Sequence, residues 1–338
     1  MTKILFRVDA NAKIGWGHFY RCLALAKMLA DNFQISFAVS APSQSLQKVI
    51  IESGFNLIEL KAFVYTTPDE RIGYIPFDLG DYAKGVDIVV LDGYWFGLDY
   101  CRKLKRNDVY VVMIEDDGGG TYEVDLIINH APGVEEKNYV LPSNCFGTAL
   151  GPKYALLRPA FLQAMTNGYE VKNKLKKAVI SFGGADFYNL TKLTLDWFVK
   201  HTKVEFDVVI GNSYAYMDSL SPFIQNERVK VHQGLSEIEM CQLMKGADFG
   251  VLPASGLLFE AIAMRLPIIS GYYADNQLKI FNGFKALHAF VDSNKFKDFA
   301  SAWKELNLLE LKSIQERHTH IIDSQVKGRY QNLFKNIS

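Results

Sequence analysis

A glycine-containing turn that ends in a histidine stands near the start of the chain. The run Gly15-Trp16-Gly17-His18 follows a short apolar segment, residues 3–8, and Asp9, and it leads into helical spacing over residues 19–29. Glycines let a backbone approach a bound group closely, and a helix amino terminus offers unpaired N–H donors to negative charge. An imidazole titrates near neutrality, so His18 is a candidate general base, although a helix-capping role explains the same residue equally well.

Neither of two well-known phosphate-binding sequence motifs is complete in this chain. A dinucleotide-binding turn needs a third glycine where the chain has His18, Phe19 and Tyr20, so NAD is disfavoured and no cofactor is expected. The run Gly118-Gly119-Gly120 lacks the lysine and threonine that follow a Walker A loop. We interpret that run as a flexible loop near the site.

The second half of the chain carries its own small-residue turns. Gly183-Gly184 closes an apolar run, and Ser255-Gly256-Leu257 precedes a helical segment that contains Glu260. Small residues there leave room for a pyrophosphate, Ser255 adds a hydroxyl donor, and Glu260 is placed to accept from ribose hydroxyls. Asn276 and Gln277 are candidates for hydrogen bonds to a sugar. The plainer alternatives are a tight turn at the glycine pair, a solvated helix face for Glu260 and an Asx turn at Asn276.

Composition excludes several classes of function. Lysine plus arginine (37) equal aspartate plus glutamate (37), so no global field attracts nucleic acid or a membrane surface. The remaining histidines have no paired spacing that indicates a metal, and the four cysteines are single, which favours a reducing compartment. Neither a signal peptide nor a membrane span is recognisable. We expect a soluble cytoplasmic protein, a monomer without a metal.

Apolar runs that alternate with helix-compatible segments predict two parallel sheets. Asp92 and Asp116 each follow such a run, and ligands bind at the carboxyl ends of parallel strands. A linker-like stretch near residues 158–175 separates the two series. We therefore predict domains over residues 1–163 and 164–316 and a C-terminal helix over residues 317–338. The runs lie at residues 3–8, 34–40, 86–91, 109–114, 126–129, 177–182, 204–210, 229–232, 249–252 and 266–270.

Several motifs, in one order along most of the chain, resemble a known family. The amino-terminal signature is the most specific, and the others span the sequence to about residue 280. The family is that of the UDP-2,4-diacetamido-2,4,6-trideoxy-β-L-altropyranose hydrolases of pseudaminic acid biosynthesis, which are related to spore coat polysaccharide proteins and to MurG-like glycosyltransferases. The motifs are Phe6-Arg7-Val8-Asp9-Ala10, Ile14-Gly15-Trp16-Gly17-His18, Arg21-Cys22-Leu23-Ala24-Leu25-Ala26, Leu91-Asp92-Gly93-Tyr94, Leu150-Gly151-Pro152-Lys153-Tyr154, Ser181-Phe182-Gly183-Gly184-Ala185-Asp186 and Ala274-Asp275-Asn276-Gln277.

The resemblance implies an α/β protein of the GT-B type, with two Rossmann-like domains whose parallel sheets face each other across a cleft. It implies metal-independent hydrolysis of a UDP-linked amino sugar by attack of water at the anomeric carbon, with inversion. His18 matches the catalytic histidine, and Tyr94, which matches a family tyrosine near the sugar, is the second residue predicted to be catalytic. The substrate-binding positions that come with it are Asp9, Gly15, Gly17, Arg21, Asn276 and Gln277, and the UDP-binding positions are Gly183, Gly184, Ser255, Gly256, Leu257 and Glu260.

The chain departs from the family pattern at Gly93, where relatives often carry histidine, and in the stretch before Glu260. Two other functions fit the same motifs. A glycosyltransferase of this fold would use an acceptor hydroxyl in place of water, and a silent binding protein would hold the nucleotide sugar without turnover. Release of free sugar without an acceptor separates these possibilities.

Overall fold

The computed structural model describes residues 1–11, 16–62, 75–166 and 174–337. The chain forms two compact units, Met1–Pro159 together with Gln325–Ser338, and Ala160–Ser324. The division therefore falls a few residues before the expected boundary at residue 163. A helix begins at Pro159, at the point of division. Proline is favoured at a first helical position because its missing N–H has no intrahelical partner there. Gly15, expected to bind substrate, lies outside the described residues.

The first unit is built on a seven-stranded sheet in the order β3-β2-β1-β4-β5-β7-β9, and every pairing in it is parallel. Its central strands are buried along nearly their whole length, as expected for a parallel sheet covered on both faces. The strands of this unit, of which β6 and β8 form a separate two-stranded sheet, are β1 (Lys3–Val8), β2 (Gln34–Ser40), β3 (Asn56–Leu60), β4 (Ile88–Asp92), β5 (Tyr110–Ile114), β6 (Gly120–Thr121), β7 (Leu126–Asn129), β8 (Tyr139–Val140) and β9 (Gly147–Leu150). Its helices are α1 (Gly17–Leu29), α2 (Gln44–Glu52), α3 (Leu98–Lys105) and α12 (Val326–Asn336).

The second unit repeats this plan with six parallel strands in the order β12-β11-β10-β13-β14-β15. Its strands are β10 (Lys177–Ser181), β11 (Glu205–Ile210), β12 (Val229–Gln233), β13 (Phe249–Pro253), β14 (Ile268–Gly271) and β15 (Val291–Asp292). Its helices, after α4 (Pro159–Thr166), are α5 (Leu190–His201), α6 (Ser221–Ile224), α7 (Glu237–Gly246), α8 (Gly256–Ala263), α9 (Leu278–Ala286), α10 (Phe299–Leu308) and α11 (Leu311–Ile321). Turns of 3-10 helix lie at Gly80–Ala83, Glu136–Asn138, Pro152–Tyr154, Met217–Leu220 and Asp275–Gln277.

The C-terminal stretch is not the single helix predicted over residues 317–338. Helix α11 ends at Ile321, Ile322 is extended (φ −130°, ψ 115°), and α12 begins only at Val326. Asp323 and Ser324 lie between them, and such residues favour turns because their side chains hydrogen-bond nearby backbone. Helix α12 then packs on α1 of the first unit, and the Gln331 amide donates to the Met28 carbonyl.

Each sheet has a point at which the strand order reverses direction. In the first unit it lies between β1 and β4, and in the second between β10 and β13. Because consecutive crossovers leave such a point in opposite directions, a crevice opens at the carboxyl ends of the two strands, and ligands bind there. This topology brings the end of β4 beside the end of β1, and the end of β10 beside the end of β13. In the described part of the chain no helix is long and apolar enough to cross a membrane.

Candidate active site

The imidazole of His18 is fixed by the last residue of the neighbouring strand. His18 lies in the first turn of α1, and its Nδ1 is 2.6 Å from Oδ1 of Asp92, which ends β4 and is fully buried. A carboxylate only accepts, so Nδ1 is the donor in this contact. Nη2 of Arg21 lies 3.0 Å from the same Nδ1, but it can only donate, and its shorter hydrogen bond goes to Asp92 at 2.5 Å. The other ring nitrogen, Nε2, makes no hydrogen bond within the described residues. Helix α1 has Trp16 as its N-cap with no side-chain capping bond, so His18 is not a cap.

Arg21, one turn further along α1, bridges two carboxylates. Its Nε and Nη2 donate to the two oxygens of Asp92, both at 2.5 Å, and its Nη1 donates to Asp116 at 2.9 Å. Residues three apart share one helix face, which explains why His18 and Arg21 reach the same carboxylate. The fork of a guanidinium matches a carboxylate edge and leaves Asp92 little freedom to rotate.

Burial and charge act in opposite directions on the two carboxylates. Burial by itself would raise the pKa of Asp92, but Arg21 and then His18 outweigh it and hold that pKa below its usual range. The same balance, with Arg21 the main favourable charge, lowers the pKa of Asp116. Both carboxylates are therefore ionised at neutral pH, and Asp92 keeps the imidazole in one tautomer and orientation.

Tyr94 joins this network from the loop after β4. Its hydroxyl donates to Asp116 at 3.1 Å, and its ring lies edge-on to the His18 ring with centroids 5.0 Å apart. Burial, followed by the charge of Asp116, raises the pKa of Tyr94, so the phenol stays protonated. These side chains line a pocket of about 50 Å³, room for a few water molecules. The lining residues are His18, Arg21, Gly93, Tyr94, Phe96, Met113, Ile114, Glu115, Asp116, Asp117 and Tyr122.

Gly93, the departure from the family pattern, has a steric explanation. Its φ of +155° is disfavoured for residues with a side chain, and an added Cβ would lie 2.8 Å from two carbons of the Trp95 indole. Trp95 is almost fully buried. A histidine at this position would therefore need a different packing of the loop that carries Tyr94.

Two other residues predicted at the amino-terminal site, Asp9 and Gly17, are not among the lining residues of this pocket. Asp9 is buried, and it accepts from Arg7 at 2.5 Å and from the Ser40 backbone N–H at 2.8 Å, while Arg7 also pairs with Asp78 at 2.7 Å. This cluster anchors the chain where it leaves β1. Gly17 begins α1, and a Cβ on it would meet nothing within 4 Å, so packing does not require glycine there.

The glycine turns of the second unit have the tight geometry that a close backbone approach requires. Gly183 has a φ of +82°, and a Cβ on Gly211 would overlap the backbone of Gly184. Ser255 is the N-cap of α8 but makes no side-chain capping bond, and Gly256 is exposed. The N–H groups at the start of α8 thus open to solvent.

Glu260 does not lie on a solvated helix face. It is buried, with 6% of its surface exposed, on the second turn of α8. Asn276 is exposed, whereas Gln277 is buried and accepts through Oε1 from the Tyr273 backbone N–H at 3.1 Å. Tyr273 in turn donates to the Phe182 carbonyl at 3.0 Å, so Gln277 supports the loop next to Gly183.

Sequence reasoning noted Asp92 and Asp116 at strand ends without assigning them to the site. Their proximity follows from the register of β4 and β5, which pairs Asp92 with Ile114. His130 also lies near these charges, because burial and the charge of Arg21 lower its pKa to about 3, and its Nδ1 accepts from the Leu156 N–H. No local sequence pattern indicates that His130 lies near Arg21. Among the described residues no cluster of histidine, cysteine and carboxylate side chains could hold a metal.

No family model matches the sequence. Three curated proteins are similar to it, which confirms the resemblance drawn from the motifs. An uncharacterized protein of Methanocaldococcus jannaschii is 24% identical over 83% of this chain, which spans 58% of that protein. The UDP-2,4-diacetamido-2,4,6-trideoxy-beta-L-altropyranose hydrolase of Campylobacter jejuni is 26% identical over 81% of this chain and 93% of its own length. The spore coat polysaccharide biosynthesis protein SpsG of Bacillus subtilis is 24% identical over 84% and 81%.

The fold is of the GT-B class, as expected. MurG of Acinetobacter baumannii superposes with a TM-score of 0.66 at 10% identity, over 99% of this chain and all of that one. The spinosyn forosaminyltransferase SpnP gives 0.62 at 13% identity over 99% of both chains. At these identities the likeness concerns the fold alone.

Proposed function

We propose that this protein hydrolyses a UDP-linked 2,4-diacetamido-2,4,6-trideoxy sugar to the free sugar and UDP, as a nucleotide-sugar hydrolase of pseudaminic acid biosynthesis. The observation that carries the proposal is the orientation of His18, whose Nδ1 is held by a buried, ionised Asp92 while the ring lines a pocket of water-sized volume. The similarity to the Campylobacter jejuni hydrolase along nearly its whole length supports the substrate class.

In the proposed reaction Nε2 of His18 takes a proton from a water molecule as its oxygen attacks the anomeric carbon. The bond from that carbon to the UDP oxygen breaks, and its electron pair leaves with UDP. Because water and UDP occupy opposite faces, the configuration inverts. Asp92 stabilises the imidazolium that forms, in the manner of other aspartate-histidine pairs. The reaction needs no metal in this scheme.

The second unit is assigned to UDP. Gly183, Gly184 and the open start of α8, at Ser255, Gly256 and Leu257, would offer N–H donors to the diphosphate, which stabilises the leaving group. Glu260 would accept from the ribose hydroxyls. Asn276, Gln277 and Tyr94 are assigned to the sugar. Asp9 and Gly17 are assigned an indirect role, in which they position the backbone near the site.

Incubation with a panel of UDP-diacetamido sugars, without any acceptor, tests the proposal through released UDP and free sugar. His18→Asn should lower kcat by about 10³-fold or more, the scale on which general bases of this type act, while UDP still binds. His320→Asn, an exposed histidine in the second unit, is the matched control and should keep full activity. Turnover retained by His18→Asn would remove the imidazole from the mechanism.

The second candidate function is a transferase that uses an acceptor hydroxyl in place of water. The small pocket beside His18 favours water as the nucleophile. A protein that releases sugar only when an acceptor is added would be the transferase, and one that binds UDP without turnover on any member of the panel would be the silent binding protein.

A further inference from the structure

The pocket beside His18 has more acidic than basic side chains. Among its described lining residues Arg21 is the only lysine or arginine, whereas Glu115, Asp116 and Asp117 are carboxylates, and Asp92 lies behind them. Arg21 is already shared between Asp92 and Asp116. A diphosphate would be repelled here, whereas positive charge that develops on a group next to the pocket would be stabilised.

Asp116 is the carboxylate of the pair that faces this pocket. Its side chain is 30% exposed, whereas that of Asp92 is fully buried beneath the imidazole. Arg21 and the Tyr94 hydroxyl both donate to Oδ2 of Asp116. The same two side chains contact the His18 ring, so Asp116 belongs to the same hydrogen-bonded cluster as the imidazole.

The loop that carries Asp116, for which its glycines predicted flexibility, makes several hydrogen bonds and close contacts to its surroundings. Glu115 is buried, and it accepts from the Gly118 N–H at 2.9 Å, from the Asn129 amide at 2.7 Å and from the Tyr139 hydroxyl. A Cβ on Gly119 would lie 2.8 Å from the Asn138 carbonyl oxygen. A charge held in place before the reaction is the kind that stabilises a transition state efficiently.

We propose that Asp116 is a second catalytic residue, whose carboxylate stabilises the positive charge that develops on the anomeric carbon and ring oxygen as the bond to UDP breaks. The inference rests on the proposed function and adds that the transition state resembles an oxocarbenium ion, as in enzymatic glycoside hydrolysis. Asp116 forms no bond to the sugar and stays ionised. Water supplies the new oxygen, and its proton goes to His18.

Steady-state kinetics of Asp116→Asn give the first test, because this change removes the charge and keeps the shape. We expect kcat to fall about 100-fold, the usual cost of losing one electrostatic contact to a transition state. The Kd of UDP should change less than about twofold, since the second unit is assigned to UDP. Asp81→Asn, which removes a more exposed charge of the same unit that does not line the pocket, is the matched control and should change kcat by less than about threefold.

Binding of a transition-state mimic separates a charge effect from a structural one. The probes are a piperidine iminosugar, protonated at neutral pH, and a neutral tetrahydropyran with the same substituents, each titrated by calorimetry with UDP present. The wild-type protein should bind the iminosugar at least about tenfold more tightly, and Asp116→Asn should lose most of that preference while its affinity for the neutral compound stays the same.

The outcomes distinguish the two proposals. If the wild-type protein released UDP from no sugar in the panel, the proposed function would fail. Full activity in Asp116→Asn, or an equal loss of affinity for both probes, would overturn the role of Asp116 alone. The preference of the wild-type protein for the charged probe is measured without any variant, so its absence would count against Asp116 even if Asp116→Asn did not fold.

Discussion

Replacing Asp92 with asparagine is the sharpest perturbation of the site, because four hydrogen bonds end on that one carboxylate, including one from the Cys22 thiol at 3.5 Å. It accepts from His18 at 2.6 Å and from two nitrogens of Arg21 at 2.5 Å, and it is completely buried. The amide is nearly isosteric but carries no charge, and it has only one accepting oxygen. Nδ1 of His18 and Arg21 would then compete for that oxygen.

Two separate losses follow from the substitution. Asparagine permits the tautomer with the proton on Nε2, which cannot take a proton from water, and we expect kcat to fall about 10³-fold to 10⁴-fold, as in other aspartate-histidine pairs. Breaking one partner of a buried ion pair costs about 3 to 5 kcal/mol. Because Arg21 keeps Asp116 at 2.9 Å, we expect a loss near the lower end, about 3 kcal/mol of unfolding free energy.

The assay combines kcat for UDP release with urea unfolding of Asp92→Asn, His18→Asn and the double variant. If Asp92 acts through the imidazole, the substitution should have little further effect on kcat once His18 is gone, while its cost in unfolding free energy should persist. This non-additivity is the signature of two residues that act as a unit.

Independent effects of the two substitutions on kcat would refute this reasoning. So would an Asp92→Asn variant with kcat within about threefold of the wild type, because the tautomer of His18 would then not depend on the carboxylate. A variant that lost stability but kept its activity would show that Asp92 serves folding alone.

Two further predictions concern the second unit. Burial lowers the pKa of His318 from 6.5 to about 4, so below pH 6.5 the unfolded chain takes up a proton that the folded chain does not. About 3 kcal/mol of stability is therefore lost between pH 6.5 and pH 4. In urea unfolding between pH 7 and pH 4, His318→Gln should therefore lose less stability than the wild type, and equal slopes would contradict this. Gly211→Ala should displace Gly184, whose backbone the new Cβ would overlap, and weaken UDP binding by calorimetry at least about tenfold. Gly246→Ala, where a Cβ would meet nothing within 4 Å, is its control, and equal UDP affinity in both variants would remove the glycine pair from the site.

The long apolar strands could be predicted from the sequence, because buried parallel strands are continuous apolar runs. The predicted strands over residues 3–8, 34–40 and 126–129 match the structure at both ends, and the others differ by one or two residues at an end. Five strands were missed. The strands β3, β9 and β15 carry more polar or small residues and lie at sheet edges, and β6 and β8 are only two residues long, so their local pattern is weak and pairing decides them.

The candidate site was predictable only in part, and His18, Arg21 and Tyr94 show why. His18 and Arg21 are three residues apart on one helix, so helical geometry alone puts them on one face. The parallel pairing of β1 and β4 brings Tyr94 to them. The sequence predicts the order of these strands along the chain but not the distance between their side chains. Asp9 was grouped with them by its position after β1, yet its carboxylate turns to Arg7.

By itself the sequence determined the α/β class, the glycine turns that follow the first strand of each series, and the histidine at the start of α1, because these depend on composition and on spacing within one element. Only the tertiary structure decided which carboxylate holds the imidazole, that Arg21 is shared between Asp92 and Asp116, and that the loop after β5 makes hydrogen bonds to its surroundings. Those features arise from contacts between residues about seventy or more positions apart, or from buried polar groups that need a partner, and no local pattern encodes the partner.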